Sequence, residues 1–348
     1  MNIHSDFLNP KEALKLYDLD IFTLGKMADT IRQKYFGKKV FFNSNAHINP
    51  TNECSDFCRF CGFSVHRKNP NPYTLSKEEV LIRAKKAIHL GALELHIVGA
   101  HNPKLNLKWY LEVFEALKQA FPSIHLKALT AAEVNYLAKI TGITYQEVLE
   151  SMAKAGVDSM PGGGAEIFDE KIREYICKGK VDSKTWLATH SFWHSLGKKS
   201  NATMLFGHIE SREHRIDHLL RLYHQQEDSG GFNAFIPLVY QKENNFLQVK
   251  DFPSGQEILK TIAIARILLP NIPHIKAYWA TLGINLAIVA QEFGADDIDG
   301  TIQKEAIQSA SGSKSANGIL KDELVAQIIN AGFIAVERDS LYNEVKVY

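Results

Sequence analysis

The amino-acid sequence predicts an α/β fold, a (β/α)8 TIM-type barrel with an N-terminal helical extension and a C-terminal helix-plus-strand extension. Three observations predict it. Short β-branched runs are followed, again and again, by stretches of helical periodicity. Eight such units occupy ~250 residues, the usual size of this barrel. The glycine-rich and polar oddities of the chain fall just after the strand ends, where a parallel barrel collects its chemistry. An open doubly wound sheet would show the same alternation, and length and rhythm favour the barrel.

Taken in order, residues 1–46 read as helical, with 21–35 the clearest segment. Strands are expected at 47–51, 94–98, 124–129, 157–160, 202–206, 233–239, 274–278 and 296–299. Amphipathic helical stretches fall at 76–90, 108–120, 145–155, 184–196, 212–227, 256–268 and 285–293. The first opens on a capping-box pattern, Ser76 with Glu79, and stops at Gly91. Residues 321–331 read as a last helix, followed by strand-like runs at 333–337 and 344–348. The expected division is therefore 1–46 for the N-terminal extension, 47–300 for the barrel and 301–348 for a C-terminal extension packed on it.

Composition excludes several classes of function. Of 348 residues, 45% are hydrophobic and 23% charged, ordinary for a soluble globular chain. A formal charge of +1 gives no electrostatic reason to expect nucleic acid or an acidic membrane surface as partner. No apolar run approaches the ~18 residues of a membrane span, and residues 1–10 lack the apolar core of a signal peptide. Four cysteines, three of them clustered, fit a reducing compartment, so a cytoplasmic location is expected. Oligomeric state is not legible.

The residues that carry chemistry are expected on one rim. Cys54, Cys58 and Cys61 follow strand one, and Gly99, Ala100 and His101 follow strand two. Thr130 and Glu133 follow strand three, and Gly162, Gly163 and Gly164 follow strand four. Gly207, His208 and Glu210 come after strand five, with Lys276 and the acidic group Asp296, Asp297 and Asp299 at strands seven and eight. Three thiolates on one short loop suit a metal centre. A cubane iron–sulfur cluster takes one thiolate per iron, so three cysteines leave one iron open. A zinc site is the plainer alternative, with His47 or His66 as fourth ligand. Three glycines before a helix expose consecutive backbone N–H groups, which suit an anion, though a flexible loop has the same composition. His101, Lys276 and Arg67 stand out as rim cations or donors for carboxylates, and each alone also reads as a solvated charge. Cys177 reads as a packing residue.

The cysteine spacing, with the aromatic Phe60 just before Cys61, resembles the signature of the radical S-adenosylmethionine superfamily. The runs 93–99, 125–133, 161–168, 201–210 and 230–237 together resemble the aminofutalosine synthase group of menaquinone biosynthesis. The segments 274–279 and 294–301 favour that group over the dehypoxanthine futalosine cyclases and the radical subunit of deazaflavin synthesis, which share several of the motifs. One departure is Gly99-Ala100-His101, where the synthases usually carry a second glycine and a leucine before the histidine.

The resemblance implies a [4Fe-4S] cluster on Cys54, Cys58 and Cys61, with S-adenosylmethionine bound at the open iron and consumed as co-substrate. Cofactor contacts are then expected from Phe60, the Gly99–Ala100 turn, Glu133 at the ribose, the Gly162–Gly164 loop, and Gly207, His208 and Glu210 near the adenine. An electron from a donor such as flavodoxin or ferredoxin would release a 5′-deoxyadenosyl radical that adds to 3-[(1-carboxyvinyl)oxy]benzoate. Rearrangement and loss of carbon dioxide or bicarbonate would give aminodeoxyfutalosine. The two substrate carboxylates need partners, and His101, Lys276, Arg67 and the glycine amides are the candidates. The competing readings are a cyclase of the same pathway and, in a different class, a zinc-binding scaffold.

Overall fold

The computed structural model describes residues 9–64, 71–302, 306–313 and 318–348. Its strands are β1 Lys39–Asn43, β2 Asn45–Ile48, β3 Glu94–Ile97, β4 His125–Ala128, β5 Ser159–Met160 and β6 Lys199–Phe206. They continue with β7 Phe232–Val239, β8 His274–Ile275, β9 Asp297–Gly300, β10 Ile334–Arg338 and β11 Glu344–Val347. Strands β2 to β8 form one parallel sheet in sequence order, curled as a TIM-type half-barrel. Helices intervene between its strands, as a parallel connection requires.

β9 completes the circuit in an unusual way. It meets β8 through a single bridge, Lys276 with Asp297, and on its other side pairs with β1 and not with β2. Because β1 runs into β2 with only Ser44 between them, the ring still closes through the chain itself. Side chains finish the seam, with the Ile302 N–H donating to Asn45 Oδ1 at 2.8 Å.

Two local expectations differ from the structure. Residues 39–43, expected within a helical stretch, form a strand whose partners are β9 and β10, more than 250 residues away in the chain. The apolar run Val40-Phe41-Phe42 is buried on both sides by those partners, and local periodicity carries no trace of them. The helix Ala131–Thr141 was also not expected. It begins with a full capping box, in which Thr130 Oγ1 accepts from the Glu133 N–H at 3.2 Å while Glu133 Oε2 accepts from the Thr130 N–H at 2.8 Å.

Strands β11, β10, β1 and β9 make a second, four-stranded sheet, with only the β10–β11 pair antiparallel. Since β1 leads into β2, this sheet lies at the N-terminal end of the barrel, opposite the rim. It is pinned by buried charge. Arg338 Nε donates to Asp297 Oδ2 at 2.6 Å, and Ser340 Oγ donates to Glu94 Oε2, which also holds Lys127 Nζ at 2.6 Å. The helix Ile21–Phe36 packs on Gly255–Leu268 through Leu24 and Ala28, with Gly25 set where a Cβ would meet the Phe293 ring at 2.7 Å.

Candidate active site

The rim of the barrel encloses a cavity of about 270 Å³. Loops after successive strands supply its wall: Cys54, Cys58 and Cys61 after β2, Gly99 to His101 after β3, Glu133 after β4 and Gly162 to Gly164 after β5. Phe60 also lines it. Opposite the cysteines, Leu205, Ile236, Leu238 and Tyr278 give an apolar face. Three non-glycine residues hold left-handed backbone at this rim, Leu129 (φ 52°), Glu166 (φ 46°) and Asp299 (φ 73°). Such strain gathers where the surrounding structure must fix a side chain's direction.

The cysteine loop is fixed by its neighbours. The Ser55 N–H and Oγ both donate to His101 O at 2.9 Å, the Arg59 N–H donates to Ile176 O at 2.7 Å, and the Gly62 N–H donates to Ser311 Oγ at 3.1 Å. Burial pushes the Cys54 thiol up, and the Cys58 thiol well up. Among the described residues no three His, Cys, Asp or Glu side chains converge on one metal ion. All three thiols line one cavity, as a cluster that takes each thiolate on a different iron requires. His66, a candidate fourth ligand to zinc, lies outside the described residues.

Between this loop and the next strand, His101 Nδ1 lies 2.7 Å from Asp56 Oδ2. Burial alone would raise the Asp56 carboxyl, but His101 first, then Lys180 and Lys139, outweigh it and hold the group below its ordinary value. The His101 ring stacks on Tyr136 with centroids 4.6 Å apart.

Glu133 is the most heavily used carboxylate at the rim. Besides capping its own helix, Oε1 accepts from the Gly99 N–H at 2.8 Å, which ties the turn after β3 to the helix after β4. Below it, His47 and His96 face each other from registered positions of β2 and β3, with ring centroids 4.6 Å apart. Burial, with His47 adding to it, holds His96 well below its ordinary value, so it is neutral.

Four expected site residues do not reach the cavity. Glu210 spends its carboxylate inside its own loop, accepting from the Gly207 N–H at 2.6 Å, the His208 N–H at 2.8 Å and Arg215 Nε at 2.7 Å. His208 is equally occupied, with Nε2 on Leu205 O at 3.0 Å. Gly207, His208 and Glu210 therefore form a self-contained turn behind the wall, while Asn201, Thr203 and Leu205 of the strand before it face inward. Lys276, 2% exposed, sits beneath the wall with Nζ 3.1 Å from Asp299 Oδ1, and it is Asp299 that faces the cavity. Arg67 lies outside the described residues.

Several cavity residues had no signal in the sequence. Lys180 enters from the short connection between the helices Glu170–Cys177 and Ser183–Ser195, with Nζ 2.7 Å from Glu166 Oε1 and 5.3 Å from the Phe60 ring centroid. A lysine in a loop looks solvated until the loop is placed. His96 could have been found, because strand alternation puts it on the same face as His47.

Residues 48–222 match the family model described as the radical SAM superfamily, and 229–347 match the one described as the CofH/MqnC C-terminal region. The chain is 41% identical to the aminodeoxyfutalosine synthase of Thermus thermophilus, over 98% of this chain and 93% of that protein. It is 36% identical to the enzyme of that name from Streptomyces coelicolor, over 98% and 91%. It is also 37% identical to the 5-amino-6-(D-ribitylamino)uracil–L-tyrosine 4-hydroxyphenyl transferase of Methanopyrus kandleri, over 95% and 91%. In fold it is similar to methylornithine synthase, with a TM-score of 0.76, 17% identity and 95% of each chain covered. No helix among the described residues is long and apolar enough to cross a membrane.

Proposed function

This chain belongs to the radical SAM superfamily, which uses a [4Fe-4S] cluster and S-adenosylmethionine, and from that premise we propose that it is an aminodeoxyfutalosine synthase. The observation that carries the reading is the 41% identity over nearly the whole chain to a protein of that name. The substrate we propose is 3-[(1-carboxyvinyl)oxy]benzoate, with flavodoxin or ferredoxin as electron donor and the cytoplasm as location. When bound, the cluster supplies one electron that cleaves the sulfonium of S-adenosylmethionine and frees its adenosyl group for transfer.

The residues of the chain then have separable tasks. Cys54, Cys58 and Cys61 would hold the cluster, on a loop already anchored by His101 O and Ile176 O. Glu133 accepts from the Thr130 N–H, the Thr130 hydroxyl and the Gly99 amide, and of its roughly four lone-pair sites keeps about one for a ribose hydroxyl. The turn at Gly99 and Ala100, where a Cβ on Gly99 would press on Pro50 at 3.3 Å, offers carbonyls to the methionine amine. Lys180 brings a half-buried positive charge to the same wall, and His101 is fixed against Asp56 as a donor toward a carboxylate. The apolar face of Leu205, Ile236 and Leu238 suits an aromatic ring and keeps water from the reacting carbon.

The transferase of Methanopyrus supplies the rival reading, because its identity of 37% is close behind. Both are separated by offering the reconstituted enzyme, anaerobically and reduced, S-adenosylmethionine with either the enolpyruvyl benzoate or the ribitylaminouracil and tyrosine. Aminodeoxyfutalosine by mass from the first mixture supports the synthase. A uracil–hydroxyphenyl adduct from the second would refute it.

A further inference from the structure

The loop after β5 has its carbonyls occupied and two of its amides bare. Thr203 Oγ1 donates to Gly162 O at 2.6 Å, and Trp186 Nε1 donates to Gly163 O at 3.2 Å. Beyond them Arg173 donates to Gly164 O at 3.0 Å and to Ile167 O at 3.1 Å, and also to Ala165 O. A planar trans peptide points its N–H opposite its C=O. The amides of Gly163 and Gly164 are therefore turned away from Thr203 and Trp186. Both glycines and Thr203 line the cavity, Trp186 does not, and neither amide has an acceptor among the described residues. Gly164 is buried, and a buried donor left without an acceptor is costly, so the position calls for a ligand that accepts.

Only glycine leaves those amides open. A Cβ on Gly163 would stand 2.8 Å from Thr130 Cγ2, and Gly164, at φ +90°, would place one 2.9 Å from Ala132 Cβ. A second observation points to a polar ligand in the same space. The Ser64 hydroxyl, in a residue 4% exposed, lines the cavity and has no hydrogen-bond partner among the described residues.

Resting on the synthase reading above, we propose that the Gly163 and Gly164 amides form a nest that takes one carboxylate of the aromatic substrate, with Trp186, Thr203 and Arg173 as its positioning residues. Successive amides around a left-handed glycine suit an anion, because they donate without bringing a counter-ion of their own. The substrate, and not S-adenosylmethionine, is assigned from placement. The nest follows β5, three strands round the sheet from the cysteine loop after β2, and the next two strands in the sheet, β6 and β7, carry the apolar face of Leu205, Ile236 and Leu238. A ring lying on that face would bring its carboxylate to the nest.

The test uses the reconstituted enzyme with Thr203→Val, which removes one donor to a glycine carbonyl while keeping the shape of the side chain, and Trp186→Phe, which removes the other donor along with one ring of a buried side chain. Calorimetry would measure affinity for the enolpyruvyl benzoate, for its two monoamides (one at each carboxylate), and for S-adenosylmethionine. The expected result is about a tenfold loss for the dicarboxylate, the scale of a weakened bond to a charged group. One monoamide should show almost no further loss, identifying the carboxylate held, and S-adenosylmethionine should bind as in the wild type. Equal losses for the dicarboxylate and both monoamides would mean a merely structural role and overturn the nest. A loss confined to S-adenosylmethionine, or none at all, overturns it too. If the wild type itself ignores the enolpyruvyl benzoate, the synthase reading falls, and the substrate assignment falls with it.

Discussion

Replacing Arg338 with Met tests how the barrel is closed. Arg338 is fully buried at the end of β10, with Nε 2.6 Å from Asp297 Oδ2 and its guanidinium 4.1 Å from the Tyr342 ring centroid. Asp297 begins β9, the strand that touches the rest of the ring through one bridge and the β1 ladder. Burial alone would raise the Asp297 carboxyl, yet Arg338, with Lys276 behind it, brings it from 3.8 down to about 2. At ~1.4 kcal/mol per pH unit that is roughly 2.5 kcal/mol of stabilisation. Removing the cation also leaves a buried carboxylate with the Asp299 N–H and the more distant Lys276 charge, so the loss should reach about 3–5 kcal/mol. At about 2 °C per kcal/mol for a chain of this size, the melting temperature at pH 7 should fall by roughly 5–10 °C in far-UV circular dichroism.

The pH dependence gives a second check. A depressed carboxyl stabilises the fold above its unfolded value and loses that contribution as pH falls through its folded one. The difference between wild type and Arg338→Met should therefore hold from pH 7 to about 4 and shrink toward pH 2. Adding Asp297→Asn should restore most of the lost stability, since the uncharged amide keeps an acceptor for the Asp299 N–H. A single variant melting within 1 °C of wild type, or a double variant no better than the single, would refute this account of the closure.

Cys58→Ala should lose bound iron and sulfide, whereas Cys177→Ala, a buried helix residue, should keep both by chemical analysis of anaerobically reconstituted protein. The buried His194, whose ring nitrogens meet Ser229 Oγ and Ser200 Oγ at 2.7 Å, is pushed down by burial to about 3. Its contribution to stability is full above about pH 6.5 and lost as pH falls toward 3, at ~1.4 kcal/mol per pH unit. His194→Gln should flatten that slope in pH-dependent urea melts, and an unchanged slope would count against it. Glu133→Gln sets an amide group against the Thr130 and Gly99 donors. It should weaken S-adenosylmethionine binding tenfold or more by equilibrium dialysis, on the scale of one unsatisfied buried donor, and wild-type affinity would show that the carboxylate is not at the ribose.

Much of the architecture follows from short-range chemistry and was legible. The three cysteines declare themselves by spacing, because ligands from one loop must be near in sequence. Capping boxes and β-branched runs fix most helix starts and strands, since those interactions span only a few residues. Glu133 shows both sides of this. Its rim position could be read, but the helix it caps was missed, and its bond to the Gly99 amide depends on β3 and β4 lying side by side.

What the tertiary structure alone decided are pairings between residues far apart. Strand β1 exists because β9 and β10 arrive to pair with it, and no pattern within residues 39–43 announces them. Glu210 and Lys276 looked like rim groups for a ligand. Arg215, in the following helix, and Asp299, in a later strand, take up their charge, and charge logic along one chain cannot see such satisfaction. Lys180 and the Trp186 donor behind the glycine loop come to the site from a connection and a helix with no motif of their own. The sequence by itself determined which chemistry this protein carries, because cluster ligands and fold rhythm are local. Only the folded ring determined which polar groups remain unspent inside it.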